Sequence, residues 1–390
     1  MTVAADYQNE IYRDGLDGGT PILPTGMAAL ERLAQERLDS RAFGYVAGSA
    51  GTESTARANL EAFGRRRIVP RMLRDVAVRD LSVELFGRRL RSPLLLGPVG
   101  VLTIMHPEGE LAVARAAAAE QVPMILSTAS SHSIEQVAQA GGEGPRWYQL
   151  YWPNDRDLAA SFVQRAHDSG YEALVVTLDT HTLGWRPRDL DQAYLPFLYG
   201  IGVANYFTDP VFQKLVGDPI GETNRDRAIA IWARLFGDPS LTWDDLPFLR
   251  ERWQGPIVLK GIQHPDDARR AADAGMDGVV VSNHGGRQVD GAAGALDALP
   301  AVAEAVGDRL TVLFDSGIRS GSDVIKALAL GAKAVLLGRP YAYGLGLAGQ
   351  AGVRHVIRCL LADLDITMAT SGNARVADLS PDLLTTAPGH

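Results

Sequence analysis

Gly278-Val279-Val280-Val281-Ser282-Asn283-His284-Gly285-Gly286-Arg287-Gln288 passes from an unbroken apolar run into a polar, glycine-containing turn within a few residues. A short run of small and β-branched residues, closed by such a turn, reads as a strand buried on both faces. Seven similar runs flank it: PLLLGPVG from Pro93, PMILST from Pro123, WYQLYW from Trp147, ALVVTLD from Ala173, PIVLKGI from Pro256, TVLFDSG from Thr311 and AVLLGRP from Ala334. Between them lie amphipathic stretches such as GELAVARAAAAEQ, SIEQVAQA, DLAASFVQRAHDSG, PDDARRAADAG and GSDVIKALALGA, with Gly275 and Gly331 at expected helix ends. Alternation alone suits either an open doubly wound sheet or a closed barrel. The ends of the runs separate the two, because nearly all finish on chemically capable residues: Gln149 and Tyr151, Thr177 and Asp179, Lys260, Ser282 and His284, Asp315, Arg339. Only a barrel gathers all strand C-termini around one site, so the predicted fold is α/β, a (β/α)8 TIM barrel.

The barrel is expected over residues 93–375. Residues 1–92 read as an accessory layer: TGMAALERLAQERLD and TESTARANLEAF are helix-like, and SVELFGRRLRS reads as a hairpin that turns at Phe86-Gly87 and caps the barrel's bottom. About 75 residues, from about 181 to 255, separate the fourth and fifth strands. That is too long for a simple crossover and predicts a lid. Within it RDRAIAIWARLF has helical periodicity, and TWDDLPFLRERW opens on a capping signal at Thr242. Residues 376–390 read as a C-terminal tail.

A net charge of −8 argues against nucleic acid or an anionic membrane as partner, since both select clustered cations. The lone Cys359 cannot form an internal disulfide. With no signal-like N-terminus and no apolar span of about 20 residues, the expectation is a soluble cytoplasmic protein. No metal-ligand cluster is expected.

His284 and Arg287, delivered together by one strand end, put a titratable base beside a fixed cation. The pairing suits a 2-hydroxy acid, its carboxylate on the cation and its carbinol near the imidazole. Asp315-Ser316-Gly317-Ile318-Arg319 and Gly338-Arg339-Pro340 end the last two strands, where barrels often bind phosphate, and imply a phosphorylated substrate or cofactor. Lys260 leaves two roles open: a Schiff-base amine, or a cation held against an anion.

SNHGGRQ, FDSGIRSG and LGRPYAYG resemble the FMN-dependent 2-hydroxy acid oxidising enzymes, the group of glycolate oxidase, lactate oxidase, mandelate dehydrogenase and lactate 2-monooxygenase. The resemblance runs from about Tyr45 to Gly372. NEIYRDGL, VTLDTHTLGWRPRDL, NYFTDPVFQK and LKGIQHPDDARRA are most similar to lactate 2-monooxygenase. The resemblance implies His284 as base, Asp179 as the carboxylate orienting it, Arg186 and Arg287 on the substrate carboxylate, and Tyr45 and Tyr151 on carboxylate and hydroxyl. For FMN it implies Pro98, Val99, Gly100, Ser127, Gln149, Thr177, Lys260 and Ser282 around the ring, with Asp315, Gly317, Arg319, Gly338 and Arg339 at the phosphate end. It further implies O2 as acceptor and a homotetramer or homo-octamer. The 2-oxo acid product is released or, if trapped under the lid, decarboxylated.

Two departures bear on the substrate. Ala129 stands where glycolate oxidase has tryptophan and the lactate enzymes leucine, which enlarges the pocket toward aromatic or longer-chain, mandelate-type acids. Thr103–Glu108 follows the general oxidase pattern. The alternatives are an FMN dehydrogenase passing electrons to a quinone or protein and, from another class, an aldolase-like Schiff-base or phosphate-ligand-binding barrel built on Lys260.

Overall fold

The computed structural model describes residues 4–217 and 219–387. Twelve strands occur among them. Arg66–Ile68 (β1) pairs antiparallel with Leu384–Thr386 (β12), and Val83–Leu85 (β2) forms a hairpin with Arg88–Leu90 (β3). The other eight are Leu94–Leu96 (β4), Met124–Ser127 (β5), Arg146–Leu150 (β6), Leu174–Thr177 (β7), Ile257–Ile262 (β8), Gly278–Val281 (β9), Thr311–Phe314 (β10) and Ala334–Leu337 (β11). All pair in parallel, and β11 returns to β4 to close the barrel.

Each of these strands coincides with an apolar run read from the sequence, β6 beginning one residue earlier at Arg146, and their residues are mostly apolar on both faces because both faces are covered. Leu94 and Leu96 pack outward under the helices, whereas Leu95 joins Ile125, Trp147, Val175, Val258, Val280, Leu313 and Leu336 in a separate interior cluster. The β2–β3 hairpin turns through Phe86 (φ 52°) and Gly87 (φ 78°), the left-handed pair that a two-residue hairpin turn requires. Its Leu85 and Leu90 join the interior cluster and so seal the bottom of the barrel, away from the strand C-termini.

The expected helices form at Met27–Arg37, Ser54–Gly64, Gly109–Glu120, Ile134–Gly141, Arg156–Asp168, Pro265–Asp273 and Gly321–Ala329. Cys359 lies buried within Arg339–Ser371, and burial pushes its thiol up to about 12, too high for a reactive thiolate. The segment between β7 and β8 contains short helices and the longer Arg225–Leu235, and Thr242 opens a 3-10 turn as Asp245 accepts from its N–H at 2.9 Å. Part of the expected tail is tied back as β12; residues 388–390 lie outside the described residues. Among the described residues no helix is long and apolar enough to cross a membrane.

Candidate active site

The strand C-termini surround a cavity of about 1070 Å³, mouth included. β9 ends on Val281, and the next residues turn so tightly that His284 takes φ 56°, followed by Gly285 at 64° and Gly286 at 78°. A left-handed histidine is uncommon and is held here by its surroundings. Its N–H donates to Ser282 Oγ at 3.0 Å, and the Gly285 N–H donates to Ser316 Oγ at 3.0 Å. Behind the turn, Asn283 and Asn59 exchange reciprocal amide hydrogen bonds of 2.7 and 2.9 Å, pinning it to the helix Ser54–Gly64.

The turn aims the imidazole at Asp179, just beyond the end of β7, with Nδ1 2.8 Å from Oδ1. Thr180 Oγ1 lies 3.1 Å from the same nitrogen and donates to Asp179 at 2.9 Å. Burial lowers the His284 pKa below its ordinary value; Asp179 opposes this, while Lys260 and Arg186 add to it. Burial raises the Asp179 carboxyl, but His284 and Lys260 outweigh it and hold it at about 2. The resting pair is thus a neutral imidazole on an ionised carboxylate, with Nδ1 engaged and Nε2 as the basic atom.

Arg287 and Arg186 line the same cavity. Arg287 Nη1 donates to the carbonyls of Tyr45 and Gly48 at 2.6 and 2.7 Å, and Arg186 donates to the Arg287 carbonyl at 3.1 Å and to Gln288 Oε1 at 2.8 Å. Neither has an ion-pair partner among the described residues. Burial and the neighbouring Arg287 lower Arg186 to about 10, so two largely uncompensated cations face the cavity. Asp189 stands near both, but burial raises its carboxyl and neither oxygen finds a hydrogen-bond partner among the described residues. Tyr45 and Tyr151 complete this end; burial raises both phenols, Tyr151 to about 12, so each stays a protonated donor.

Lys260 is buried within β8, two residues before its end, 2.9 Å from Asp315 Oδ2 and 3.0 Å from Ser282 Oγ. Burial disfavours its ammonium, but Asp315 and Asp179 outweigh this and raise its pKa. A Schiff-base lysine needs the opposite shift, which argues against the aldolase-like alternative. Arg339 reaches the carbonyls of Val46, Gly48 and Gly285 and the Ser49 hydroxyl at 2.8–3.1 Å.

Most residues singled out from the sequence meet here. Tyr45, Pro98, Val99, Gly100, Ala129, Tyr151, Arg186, Lys260, His284, Arg287, Asp315, Gly317, Arg319, Gly338 and Arg339 line this cavity. Thr177 and Asp179 line an adjoining one, while Ser127, Gln149 and Ser282 lie buried beneath. Sequence reasoning missed Thr180, detectable as the neighbour of Asp179, and Ser316, whose hydroxyl holds the histidine turn. It also missed Leu183, Phe197 and Phe236, whose place depends on how the insertion folds back.

Several features call for a flat, polar-edged ligand with an anionic tail. Gln149 Nε2 and Thr177 Oγ1 are buried without a hydrogen-bond partner among the described residues. A Cβ on Gly100 would come within 2.9 Å of the Ala129 methyl, so the loop after β4 lies close enough to β5 to offer bare backbone. Val101, a β-branched residue, is forced to φ 64°, and Ser316 to 83° at the phosphate end. The unmet polar atoms, the bare backbone after β4 and the glycine-rich end beside Arg319 fit FMN.

Residues 34–386 match the family described as FMN-dependent dehydrogenase. The chain belongs to that family. It is 51% identical over 387 residues to the FMN-dependent alpha-hydroxy acid dehydrogenase qulF of Penicillium citrinum, covering 97% of this chain and 95% of the relative. An L-lactate oxidase of Lysinibacillus sphaericus is 42% identical over 91% of each chain. A solved mandelate oxidase superposes with a TM-score of 0.82 at 40% identity, over 93% of this chain and 98% of that one. This member of the FMN-dependent dehydrogenase family is therefore an FMN enzyme that oxidises 2-hydroxy acids.

Proposed function

We propose that the enzyme oxidises an L-2-hydroxy acid to the 2-oxo acid, with His284 as base and O2 as electron acceptor. The observation that carries this reading is a neutral, carboxylate-oriented imidazole beside two guanidiniums that make no ion pair among the described residues. Arg186 and Arg287 bind the substrate carboxylate as charge-assisted donors, and Tyr45 and Tyr151 donate to the carboxylate and hydroxyl. His284 Nε2 takes a proton from the carbinol centre, and Asp179 stabilises the imidazolium that results.

Bound FMN would supply the acceptor for the substrate's two electrons and their route to O2, with hydrogen peroxide as the product. Gln149, Thr177 and Ser127, with the backbone of Pro98, Val99 and Gly100, hold its ring. Lys260, supported by Ser282, would supply positive charge to the ring. Gly317, Arg319, Gly338 and Arg339 would hold the ribityl phosphate end, with Asp315 placed to accept from ribityl hydroxyls. The mixed polar character of the insertion supports O2 over a membrane acceptor.

A second outcome, decarboxylation of the retained oxo acid by peroxide to a shortened acid, CO2 and water, is favoured by how the insertion is tied down. Arg165 of the helix Arg156–Asp168 donates to Asp209 Oδ2 at 3.0 Å and to the Asn205 carbonyl at 2.8 Å, and Asp209 is fully buried. A lid so held slows product escape. Aerobic turnover of L-lactate and L-mandelate, with all products quantified, tests the reading. Oxo acid with peroxide identifies release, shortened acid with CO2 identifies retention, and a yellow protein that neither acid reduces overturns the proposal.

A further inference from the structure

The loop after β4 brings bare backbone to the cavity wall at Gly100, and the Gly100 N–H has no acceptor among the described residues. The next residue, Val101, is held at φ 64°, with its own N–H donating to the Ala129 carbonyl at 2.8 Å. A β-branched residue leaves the left-handed region unless its surroundings keep it there. The anchor therefore has to come from outside the loop.

Glu110 provides it. This residue lies in the first turn of the helix Gly109–Glu120 and is only 1% exposed. Its Oε1 accepts from the N–H of Leu102, directly after Val101, at 3.0 Å and from the N–H of Ser131 at 3.2 Å, while Oε2 lies 3.0 Å from His132 Nδ1. One side chain thus binds the loop after β4 to the loop after β5. The helix can start this close because Gly109 has no Cβ, which would meet Thr103 N at 3.0 Å. Glu110 is not among the residues that line the cavity, so any effect it has on a bound ring passes through the loop.

We propose that Glu110 is a positioning residue for the flavin: by holding Leu102 and Ser131 together it fixes the Gly100 N–H as a donor to the ring and so raises the ring's affinity for electrons. A donor fixed in advance stabilises developing negative charge without reorganising at the moment of reaction. The inference rests on the seat given to FMN beside Gly100, and on neither the acid oxidised nor the base.

The test is a titration of the holoenzyme with sulfite, with the midpoint potential of the flavin measured in parallel. Sulfite adds reversibly to an oxidised flavin, bleaches its visible absorbance and binds more tightly where the protein stabilises negative charge on the ring, so no substrate is needed. Glu110→Ala leaves two N–H groups without an acceptor, and its sulfite dissociation constant should rise about tenfold, the range expected for a lost hydrogen bond. Its midpoint potential should fall. Glu110→Gln keeps a carbonyl oxygen for both N–H groups and should lie between Glu110→Ala and the wild type in both measurements, with FMN retained. Unchanged sulfite affinity and potential in both variants overturns the proposal, as does the same result in Glu110→Gln where Glu110→Ala yields no holoenzyme. Loss of FMN from the variants, with the potential of the remaining holoenzyme unchanged, reduces Glu110 to packing and overturns it too. A wild-type protein that binds no FMN overturns the seat of the cofactor as well.

Discussion

The strand ends of the barrel and the insertion over residues 181–255 build one cavity from opposite materials. The barrel side supplies charge and bare backbone: His284, Lys260, Arg287, Gly100, Gly317 and Gly338, with His284 and Gly317 held at positive φ. The insertion supplies Arg186, and otherwise mainly apolar surface from Leu183, Phe197 and Phe236. On the proposed function, the barrel would determine which bond is attacked and the insertion which substrate is accepted. Such a division lets substrate range change without disturbing the proton and electron chemistry.

The largest effect that would sharpen this contrast comes from the barrel side. His284→Gln should leave the protein yellow and lower the rate of flavin reduction by about 10²–10⁴-fold, the usual contribution of a positioned base; reduction at the wild-type rate would remove the base from the barrel. Arg186→Met is next and probes the insertion's one charged contribution. Substrate binding should weaken by roughly 2–5 kcal/mol, because the acid's carboxylate loses a buried partner, and an unchanged dissociation constant would leave the insertion with no part in carboxylate binding.

A smaller effect is expected at Gly261, where β8 shifts register between Lys260 and Ile262 and φ is 107°. A Cβ there would lie 2.9 Å from Asp179, so Gly261→Ala should displace the carboxylate and lower kcat about 10–100-fold with flavin binding retained. The smallest effect is on the pH profile. A neutral His284 is required and burial lowers its pKa, so the second-order rate constant should rise with pH through a value below the ordinary 6.5. Asp179 raises that pKa, so Asp179→Asn should move the acid limb to still lower pH in addition to slowing the reaction. A limb shifted upward would show that Asp179 does not face the charged imidazole.

The contrast also explains what could be read from sequence. Most barrel strands announce themselves because burial on both faces leaves a short run rich in Val, Ile and Leu, and strand polarity alone then brings Lys260, His284 and Asp315 together. The β2–β3 hairpin was legible for a similarly local reason, the Phe86-Gly87 turn. Phe197 and Phe236 were not legible, since nothing in LPFLYG or RLFGD distinguishes a pocket wall from a buried helix end. Their role appears only when the insertion packs Trp232 behind them. Ser316 was overlooked because its task, accepting from the N–H of Gly285, belongs to a loop-to-loop contact with no spacing signature.

Arg339 shows where the accessory layer ends and the catalytic unit begins: nowhere that a cut could be made. Its guanidinium gathers carbonyls from Val46 and Gly48 and from Gly285, one residue past His284. Deleting the first 92 residues to obtain a minimal barrel would thus strip acceptors from a buried cation and unmoor the imidazole at the same stroke. Anyone transplanting this site onto another eightfold scaffold must carry the leading segment along with it.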